Sequence, residues 1–540
     1  MKKSEAVTKA AVTTATMTTA TMTTAATKIT RRTAIGALAA LPAFFAPAAL
    51  SADTQPDSFR AYTDGPRLLL RPARLKLLRR ERERQSLRWE QFETLWAASA
   101  AFPELAFVQA LRFQLADDRE SGVRAVAWAV GPAAVSAGDT RHIALIADWC
   151  DSLLKGSDRD QLLAKLQQAI ADPAPVTTLA AARDKVFAAV ALSDARPEAS
   201  EKALRQVFED FWLGTFIAGL RDRQTRLPNA DAYALLELMH AFRDNLNFDL
   251  RETYPAWFRQ YPVQHLMAHY PAPFPGAENE YRIPADEAIE TRGPDPGKAT
   301  LSRAAELAMV AFDTNEASSQ LLQGWLMNDR FLLRGAAGIA YELLWANPYQ
   351  PGLSYFHISL ALHDEIGGQL FVRSSWEDDA QWVGFFGGRL QLFRDGAVTS
   401  LDPKTSREPL DIDSAVILFA RDERKFQTPS ANPADRSADG GAPTGGGNTV
   451  SNTGSNTVSN TGGNTGGNTG GDTGSNTGSN TGGNTEDLHV FVVGLEPKRA
   501  FHVEVDGEKM VERRSDPGGI IYLAGVEPGA GVRLGFSTAV

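Results

Sequence analysis

Cysteine and a surplus of positive charge are what this chain of 540 residues most clearly lacks. A single cysteine, Cys150, excludes an intrachain disulfide and a cysteine-rich metal site, and we interpret it as a small core residue of a buried helix. The 65 acidic residues outnumber the 55 basic ones, which gives a net charge of −10. This balance argues against nucleic acid as a partner, because neutralising phosphates requires a basic face. An acidic polysaccharide would have to be met by local arginines.

A long apolar run suited to spanning a membrane is also missing from the N-terminal region. The apolar stretch at residues 36–50 is short and is interrupted by Pro42 and Pro47. It follows the pair Arg31 and Arg32, and this arrangement predicts a twin-arginine export signal. Residues 1–52 are therefore predicted to be a disordered lead and a signal peptide. The mature protein, without a transmembrane segment, should reside in the periplasm or outside the cell.

The spacing of apolar residues changes along the chain from a helical period to a strand period. Between Pro66 and Trp345 they recur every three to four residues, which predicts successive helices joined by short turns. From Ser354 the period is two, which predicts antiparallel strands. We therefore expect a multidomain α + β protein, an incomplete (α/α) toroid followed by an antiparallel β-sandwich. The predicted helices are 104–116, 121–130, 141–154, 179–192, 199–220, 231–246, 263–269, 300–311 and 319–345, and the predicted strands are 356–362, 369–373, 382–386, 390–393, 415–420, 489–493, 500–505, 520–523 and 532–536.

A low-complexity segment interrupts the strand region. Residues 440–485 repeat Gly-Gly-Asn-Thr and Gly-Ser-Asn-Thr units and have almost no apolar side chains. Such a composition cannot offset the entropy lost on ordering, so it predicts a disordered loop, at about residues 430–486. Because both flanks look like strands, we place this loop within the sandwich. The predicted domains are a toroid at residues 53–350 and a sandwich at residues 351–540.

Four segments resemble those of heparinase II/III-like polysaccharide lyases. They are PRLLL at residues 66–70, YELLWANP at 341–348, PGLSYF at 351–356 and GQLFVRSSWEDDAQWVGFFGG at 368–388. The resemblance implies a helical toroid that meets a β-sandwich, and cleavage of an acidic polysaccharide by β-elimination. The chain departs from the family pattern in one respect. The usual His-x-His-x-Asp segment, which supplies a catalytic histidine and leads into metal ligands, is missing, and no histidine lies between His363 and His489.

The predicted helix 231–246 carries the first candidate residues. β-Elimination needs an acid and a base, often tyrosine or histidine, and a group that neutralises a carboxylate. Tyr233, Glu237 and His240 are spaced i, i+4 and i+7 and so share one face. Tyr233 and His240 are therefore candidate catalytic residues, with a polar contact between neighbouring helices as the alternative. Asn229 stands where the resemblance implies an acidic residue, and it is a candidate for substrate binding.

A histidine pair and the irregular loop after it form the second candidate group. His265 and His269, at i and i+4, can share a metal ion that a nearby carboxylate would complete. The pair has no defined third ligand and is equally consistent with an ordinary helix face, so the sequence assigns no metal ligand and no cofactor. In the loop that follows, which we expect to form a cleft wall, Tyr281 is a candidate catalytic residue and Glu280 a candidate substrate-binding residue.

The third group lies where the predicted helices give way to strands. Arg373 would bind a sugar carboxylate while Trp376 stacks on the sugar ring. In the alternative arrangement, Trp376 belongs to the sandwich core and Arg373 pairs with Glu377 or Asp378. His363 is the candidate replacement for the catalytic histidine that the family pattern would supply.

The sequence thus predicts an exported heparinase II/III-like protein that binds an acidic polysaccharide and cleaves it by β-elimination. A catalytically inactive glycan-binding or scaffold protein of the same fold is the main alternative. A glycoside hydrolase is a third, for which Glu237 and Glu280 are the carboxylate pair to test. The sequence does not identify the sugar or the oligomeric state.

Overall fold

The computed structural model describes residues 56, 58–222, 227–276, 279–329, 331–419, 424–428, 488–508 and 510–536. The predicted export signal and the Gly/Asn/Thr repeat lie outside these described residues. All described residues belong to one compact unit, with helices in its first part and sheets in its second. This arrangement confirms the α + β class. Among the described residues, no helix combines the length and the apolar character needed to cross a bilayer.

Helices make up the first part of the described chain. The α-helices are α1 (Pro72–Glu83), α2 (Leu87–Ala97), α3 (Leu105–Ala116), α4 (Arg119–Val130), α5 (Thr140–Trp149), α6 (Ser157–Ala171), α7 (Leu179–Ala191), α8 (Pro197–Gln206), α9 (Ala218–Arg221), α10 (Ala232–Leu246), α11 (Pro255–Met267), α12 (Ile289–Arg292), α13 (Pro296–Phe312), α14 (Ala317–Asn328) and α15 (Ile339–Trp345). A π-helix, Val207–Ile217, joins α8 to α9.

Side-chain caps fix where some of these helices begin. Asp118 accepts a hydrogen bond from the backbone N–H of Ser121 at 3.2 Å and so begins α4. Asp295 accepts one from the N–H of Gly297 at 2.9 Å, and Pro296 follows as the first residue of α13. These carboxylates satisfy N–H groups that have no partner within the helix, and proline loses nothing at the first helical position.

Alternate helices pack against one another in a continuing series. Helix α3 packs on α5, α5 on α7, α7 on α10, α10 on α13, α13 on α15 and α15 on α2. Helix α1 contacts both α2 and α3, and the Tyr341 hydroxyl of α15 donates to Glu104 just before α3. The series therefore returns to its start. Helices α4, α6 and α8 pack against members of this series.

The predicted helices agree with the structure over most of the helical region, with some exceptions. The predicted helix 319–345 is wrong, because α14 ends at Asn328 and α15 begins only at Ile339. Phe331 and Leu333 in the break are each only 2% exposed, so the apolar spacing continues through a segment that is not helical. The predicted helix 263–269 overlaps only the last part of the longer α11, which ends at Met267. The predicted helix 141–154 runs past the end of α5 at Trp149, and α6 and α12 lie in no predicted helix.

Strands form the second part of the described chain. A short pair, β1 (Phe274–Pro275) and β2 (Glu280–Tyr281), lies among the helices. The other strands are β3 (Ala361–Asp364), β4 (Gln369–Arg373), β5 (Trp382–Phe386), β6 (Arg389–Arg394), β7 (Ala397–Leu401), β8 (Leu410–Asp411), β9 (Ala415–Phe419), β10 (Arg424–Gln427), β11 (Leu488–Val493), β12 (Ala500–Val505), β13 (Val511–Arg514), β14 (Ile521–Val526) and β15 (Gly531–Phe536).

Three sheets stack in succession against the helices. The first has the order β3-β4-β5-β6-β7, the second β14-β11-β9-β8 and the third β10-β15-β12-β13. Phe371 and Trp382 of the first sheet belong to the helical core. The opposite face of that sheet, including Val372, packs on the second sheet, whose far face packs on the third. The core therefore continues across the predicted domain boundary at residues 350–351.

Two strand predictions need correction. The predicted strand 356–362 is wrong, because Tyr355–His357 forms a 3-10 turn and β3 begins at Ala361. The Tyr355 ring packs on Trp376 while Phe356 is half exposed, so the alternation expected of a strand is absent there. The strands β9 and β11 pair in parallel, with His489 opposite Ala415, although the sequence predicted antiparallel strands throughout.

Candidate functional site

The end of α11 is fixed against the first sheet by hydrogen bonds. Trp382 Nε1 of β5 donates to the carbonyl oxygen of Met267 at 2.9 Å. The Tyr270 hydroxyl, just after α11, donates to Gln391 Oε1 of β6 at 2.8 Å. Because indole and phenol hydrogen-bonding groups are satisfied in this way, large aromatic side chains can be buried at the boundary. The boundary is therefore a defined interface with a fixed geometry.

We call the cluster formed by Arg282, Asp329, Tyr355, Arg373 and Trp376 the helix–sheet seam. Arg373 is the last residue of β4 and lies opposite Trp382 of β5, as the predicted hairpin requires. Trp376 lies in the β4–β5 connection and its ring meets that of Tyr355 edge to face at 5.5 Å. Arg282 Nε donates to Asp329 Oδ1 at 3.1 Å. The seam thus joins residues from four separate stretches of the chain.

Arg373 is a buried cation with no carboxylate partner among the residues that the structure describes. Arg373 is 4% exposed, and its guanidinium carbon lies 4.5 Å from the centre of the Trp376 ring. No ion pair or side-chain hydrogen bond joins it to another described residue, and its Nε is buried without a partner. Burial, and next the positive charge of Arg282, lower the pKa of Arg373 to about 9. The seam therefore holds a guanidinium that an anion would stabilise.

Asp378 pairs with a different arginine. Arg282 Nη2 donates to Asp378 Oδ1 at 2.6 Å, and Glu377 is exposed. The alternative in which Arg373 pairs with Glu377 or Asp378 is therefore not the arrangement seen. The same alternative placed Trp376 in the sandwich core. Trp376 is 8% exposed, and it belongs instead to the core shared with the helices.

Two tyrosines lie in or beside the seam. Burial raises the pKa of Tyr355, while the charges of Arg282 and Arg373 act to lower it. Tyr281 of β2 is half-buried, and its ring lies 5.0 Å from that of Phe331. The Arg303 guanidinium stacks on the same Phe331 ring at 4.8 Å and pairs with Asp329 of the seam. The predicted residue Tyr281 is therefore linked to Asp329 of the seam through Phe331 and Arg303.

Tyr233 and His240 lie elsewhere, around Trp345. The indole Nε1 of Trp345 donates to the Tyr233 hydroxyl at 3.0 Å, and the His240 ring lies 4.5 Å from the Trp345 ring. His240 Nε2 lies 3.0 Å from the carbonyl oxygen of Ala308. Both side chains are buried, and burial raises the pKa of Tyr233 and lowers that of His240. These contacts fit the alternative interpretation of this face, in which Tyr233 and His240 form a polar contact between neighbouring helices.

The remaining predicted residues have partners of their own. His363 Nε2 lies 2.8 Å from Asp516 Oδ2, a residue that precedes β14 in the second sheet. Asn229 Nδ2 donates to the carbonyl oxygens of His265 and Ala268, both at 3.3 Å, and so closes the C-terminal end of α11. Neither residue has a contact with Arg373 or Trp376 among those recorded for the described chain.

Glu237 belongs to a buried charged network at the centre of the helical series. Arg141 Nη2 donates to Glu237 Oε1 at 2.7 Å and Arg183 Nη1 to Oε2 at 3.2 Å. Glu104, which His142 contacts at 2.9 Å, adds a further carboxylate. Burial would raise the pKa of Glu104, but Arg141 and His142 together lower it to about 2. Sequence reasoning missed the roles of Arg141 and Glu104, because the residues of this network come from separate helices that are far apart in the sequence.

His265, His269 and Glu306 form a group of potential metal ligands among the described residues. Their ligand atoms all lie within 4.8 Å of one another. The carboxylate comes from α13, whereas the sequence pointed to the loop that contains Glu280. No spacing within the sequence links residue 306 to residues 265 and 269, and this explains why sequence reasoning missed the third member.

Sequence reasoning also missed Arg282 and Asp329, which come from an irregular loop and the end of a helix. Tyr355 offered a signal, because it lies within the PGLSYF segment that carries the resemblance. No family model matches the chain, and no curated protein matches it. The resemblance to heparinase II/III-like lyases therefore stays a prediction drawn from the motifs alone.

Proposed function

We propose that this protein is exported, binds an acidic polysaccharide at the helix–sheet seam and cleaves it by β-elimination. In this proposal the helices form an incomplete (α/α) toroid and the sheets a β-sandwich of the heparinase II/III-like kind. The returning series from α3 through α15 to α2 and the stacking of the three sheets are consistent with that architecture. Fold alone does not assign activity, so the proposal depends on the chemistry of the seam.

The buried and unpaired guanidinium of Arg373 is the observation that carries the proposal. Burying a charge without a partner is costly, and proteins keep such a group where a ligand supplies the opposite charge. A uronate carboxylate fits the guanidinium through two parallel hydrogen bonds. The Trp376 ring faces the Arg373 guanidinium, the Tyr355 ring meets Trp376 edge to face, and the half-exposed Phe356 stacks on Tyr355.

The seam contains groups suited to each part of the elimination. A base removes the proton from the carbon next to the carboxyl group, the bond to the glycosidic oxygen breaks, and a carbon–carbon double bond forms between the two centres. Arg373 would stabilise the negative charge that develops on the carboxyl group. Tyr355, whose pKa is raised by burial although two arginines act to lower it, and Tyr281 are the hydroxyls available for proton transfer. The proton taken from the carbon is balanced by one delivered to the glycosidic oxygen, which departs as a hydroxyl group.

An assay of unsaturated sugar products tests this function. The purified protein is incubated with a panel of uronic-acid polysaccharides while near-ultraviolet absorbance is followed. We expect one of them to yield product, Arg373→Met to lose most of the rate, and the exposed Arg389→Met to keep it. Tyr355→Phe should lower the turnover number more than it raises KM. Absence of product with every polymer would contradict the lyase proposal.

A glycan-binding protein without activity is the second candidate. The arrangement of His363 favours it, since this histidine pairs with Asp516 and has no contact with Arg373. Binding that is lost in Arg373→Met, without product from the intact protein, would select this candidate. The hydrolase alternative is disfavoured, because both oxygens of Glu237 are held by arginines and the residue is fully buried.

A further inference from the structure

We propose that His265, His269 and Glu306 bind a zinc ion that joins α11 to α13. His265 lies in the last turn of α11, His269 two residues beyond its end, and Glu306 in the middle of α13. Two imidazoles and one carboxylate are a common protein ligand set for zinc. This proposal is independent of the proposed function, because the three residues are not part of the seam chemistry described above.

The separations of the two histidine nitrogens from the Glu306 carboxylate match a tetrahedral site. Both His265 Nε2 and His269 Nε2 lie 3.4 Å from Glu306 Oε1. Two ligands at about 2.0–2.1 Å from a tetrahedral zinc ion are about 3.3–3.4 Å apart. The Ser302 hydroxyl lies 3.1 Å from His265 Nε2 and 3.0 Å from His269 Nε2, one turn before Glu306 on the same face of α13. It stands where a fourth ligand, or a water bound to the metal, would be held.

The hydrogen bond made by the other ring nitrogen of His269 prepares it for a metal. His269 Nδ1 lies 2.8 Å from the carbonyl oxygen of His265, which can only accept, so the proton is on Nδ1. In the neutral ring, Nε2 then presents a lone pair to the cluster. A metal-bound histidine typically donates its other ring N–H to a carbonyl oxygen in this way.

Glu306 supplies the second, independent observation. Its residue is 1% exposed, and its Oε2 is buried without a hydrogen-bond partner. Arg303 Nη1 lies 3.2 Å from that oxygen, but Arg303 is also paired with Asp329, which offsets its charge. The Oε1 atom of Glu306 therefore faces two imidazole nitrogens, His265 Nε2 and His269 Nε2. The nitrogen of His269 carries no proton, so it cannot donate a hydrogen bond to the carboxylate. A cation at this point would satisfy all three groups.

The burial of the group indicates a structural rather than a catalytic metal. The three residues are each 1% exposed or less, and the Trp325 ring lies 5.8 Å from that of His269. Structural zinc sites are closed in this way, whereas catalytic ones keep a position open to substrate. A zinc ion here would fix the end of α11, and with it the contact of α11 to the first sheet.

The metal content of the intact protein tests the proposal. After dialysis against metal-free buffer, elemental analysis should find one zinc per chain. Replacement by cobalt(II) should give the intense visible bands of a tetrahedral site. Glu306→Gln and His269→Gln should lose the metal, whereas His240→Gln, which alters an equally buried histidine, should keep it. Zinc added to the chelator-treated protein should raise its melting temperature by several degrees.

Two results would overturn the proposal. One is a protein that contains no zinc and whose melting temperature does not respond to added zinc; in that case a relay of hydrogen bonds through Ser302 holds the group together. The other is an unchanged zinc content in both Glu306→Gln and His269→Gln. Should these variants fail to fold, the cobalt spectrum of the unaltered protein decides, because tetrahedral nitrogen and oxygen ligation is visible without them.

Discussion

Buried charged side chains in this protein are held in two different ways. Glu237 is enclosed by Arg141 and Arg183, so its charge is compensated within the protein. Arg373 lies against the face of Trp376 and forms no ion pair with another described residue. Compensated charges contribute to structure, and an uncompensated one is available to a ligand. The sequence predicted Arg373 and Trp376 together because they lie three residues apart in one hairpin.

The partners of the other predicted residues could not be read from local spacing. Tyr233, Glu237 and His240 do share the helix α10, as their spacing predicts. What they contact comes from distant parts of the chain, as with Trp345, which donates to Tyr233. Helical periodicity reveals which residues share a face, and it says nothing of what packs against that face.

Asp148 should make stability depend on pH. Burial raises its pKa to about 6 against the usual 3.8, although the N–H groups of Leu68 and Arg67 act to lower it. The folded state therefore keeps a proton that the unfolded state releases. The stability that Asp148 contributes is full below about pH 4 and is lost as the pH rises through 6. The free energy of unfolding, relative to Asp148→Asn, should be about 2–3 kcal/mol larger at pH 4 than at pH 7.

Denaturant unfolding of both proteins at the two pH values measures this difference. A difference of the opposite sign would mean that Asp148 is stabilised as a carboxylate by the two N–H groups more strongly than burial opposes it.

At the scale of elements, the sequence predicts best where periodicity and burial agree. The hairpin β4–β5 and the helices α3, α7 and α10 are confirmed. The break between α14 and α15 could not be predicted, because Phe331 and Leu333 continue the apolar spacing while they fill the core in an extended segment. The turn at Tyr355 was missed for a related reason, since its ring is recruited by Trp376 of a later hairpin.

Gly324 of α14 should resist substitution for a packing reason. A Cβ at this position would overlap the carbonyl oxygen of Leu353, whose N–H donates to Gln320 of the same helix at 2.8 Å. Alanine normally favours a helix over glycine by about 1 kcal/mol. Here Gly324→Ala should instead lower the free energy of unfolding by about 1–3 kcal/mol, because the segment leading into the seam must move.

Thermal or denaturant unfolding measures the effect of Gly324→Ala. Gly535→Ala in β15 is the matched control, since a Cβ there has open space, and it should change stability little. A stabilised Gly324→Ala variant would show that residues 351–353 do not pack tightly on α14.

For the whole molecule, the helices and the first sheet share one hydrophobic core. Phe371, Trp382 and Phe386 of that sheet lie in the same core as α3, α10 and α13. The sequence placed a domain boundary at residues 350–351, where the period of apolar residues changes. Periodicity marks where the type of element changes, but it does not show whether the elements on either side are packed together.

Trp382→Ala should therefore destabilise the helices as well as the sheet. Trp382 is fully buried, and its loss should lower the free energy of unfolding by about 3–5 kcal/mol. The midpoint at which the helical circular dichroism signal disappears should fall, whereas the exposed Val511→Ala should leave it unchanged. A helical transition that keeps its midpoint in Trp382→Ala would mean that the helices fold independently of the sheet.

The central claim is that Arg373 receives the carboxylate of a polysaccharide, and calorimetric binding tests it most directly. The polymer that binds is compared with the same polymer after reduction of its carboxyl groups to alcohols. We expect carboxyl reduction to weaken binding to the unaltered protein about ten- to a hundredfold, as for a lost hydrogen bond to a charged group. Arg373→Met should bind both forms equally weakly, and Arg389→Met should behave like the unaltered protein. Equal affinity of the unaltered protein for the two polymers, or an Arg373→Met variant that still prefers the carboxylate form, would contradict the account.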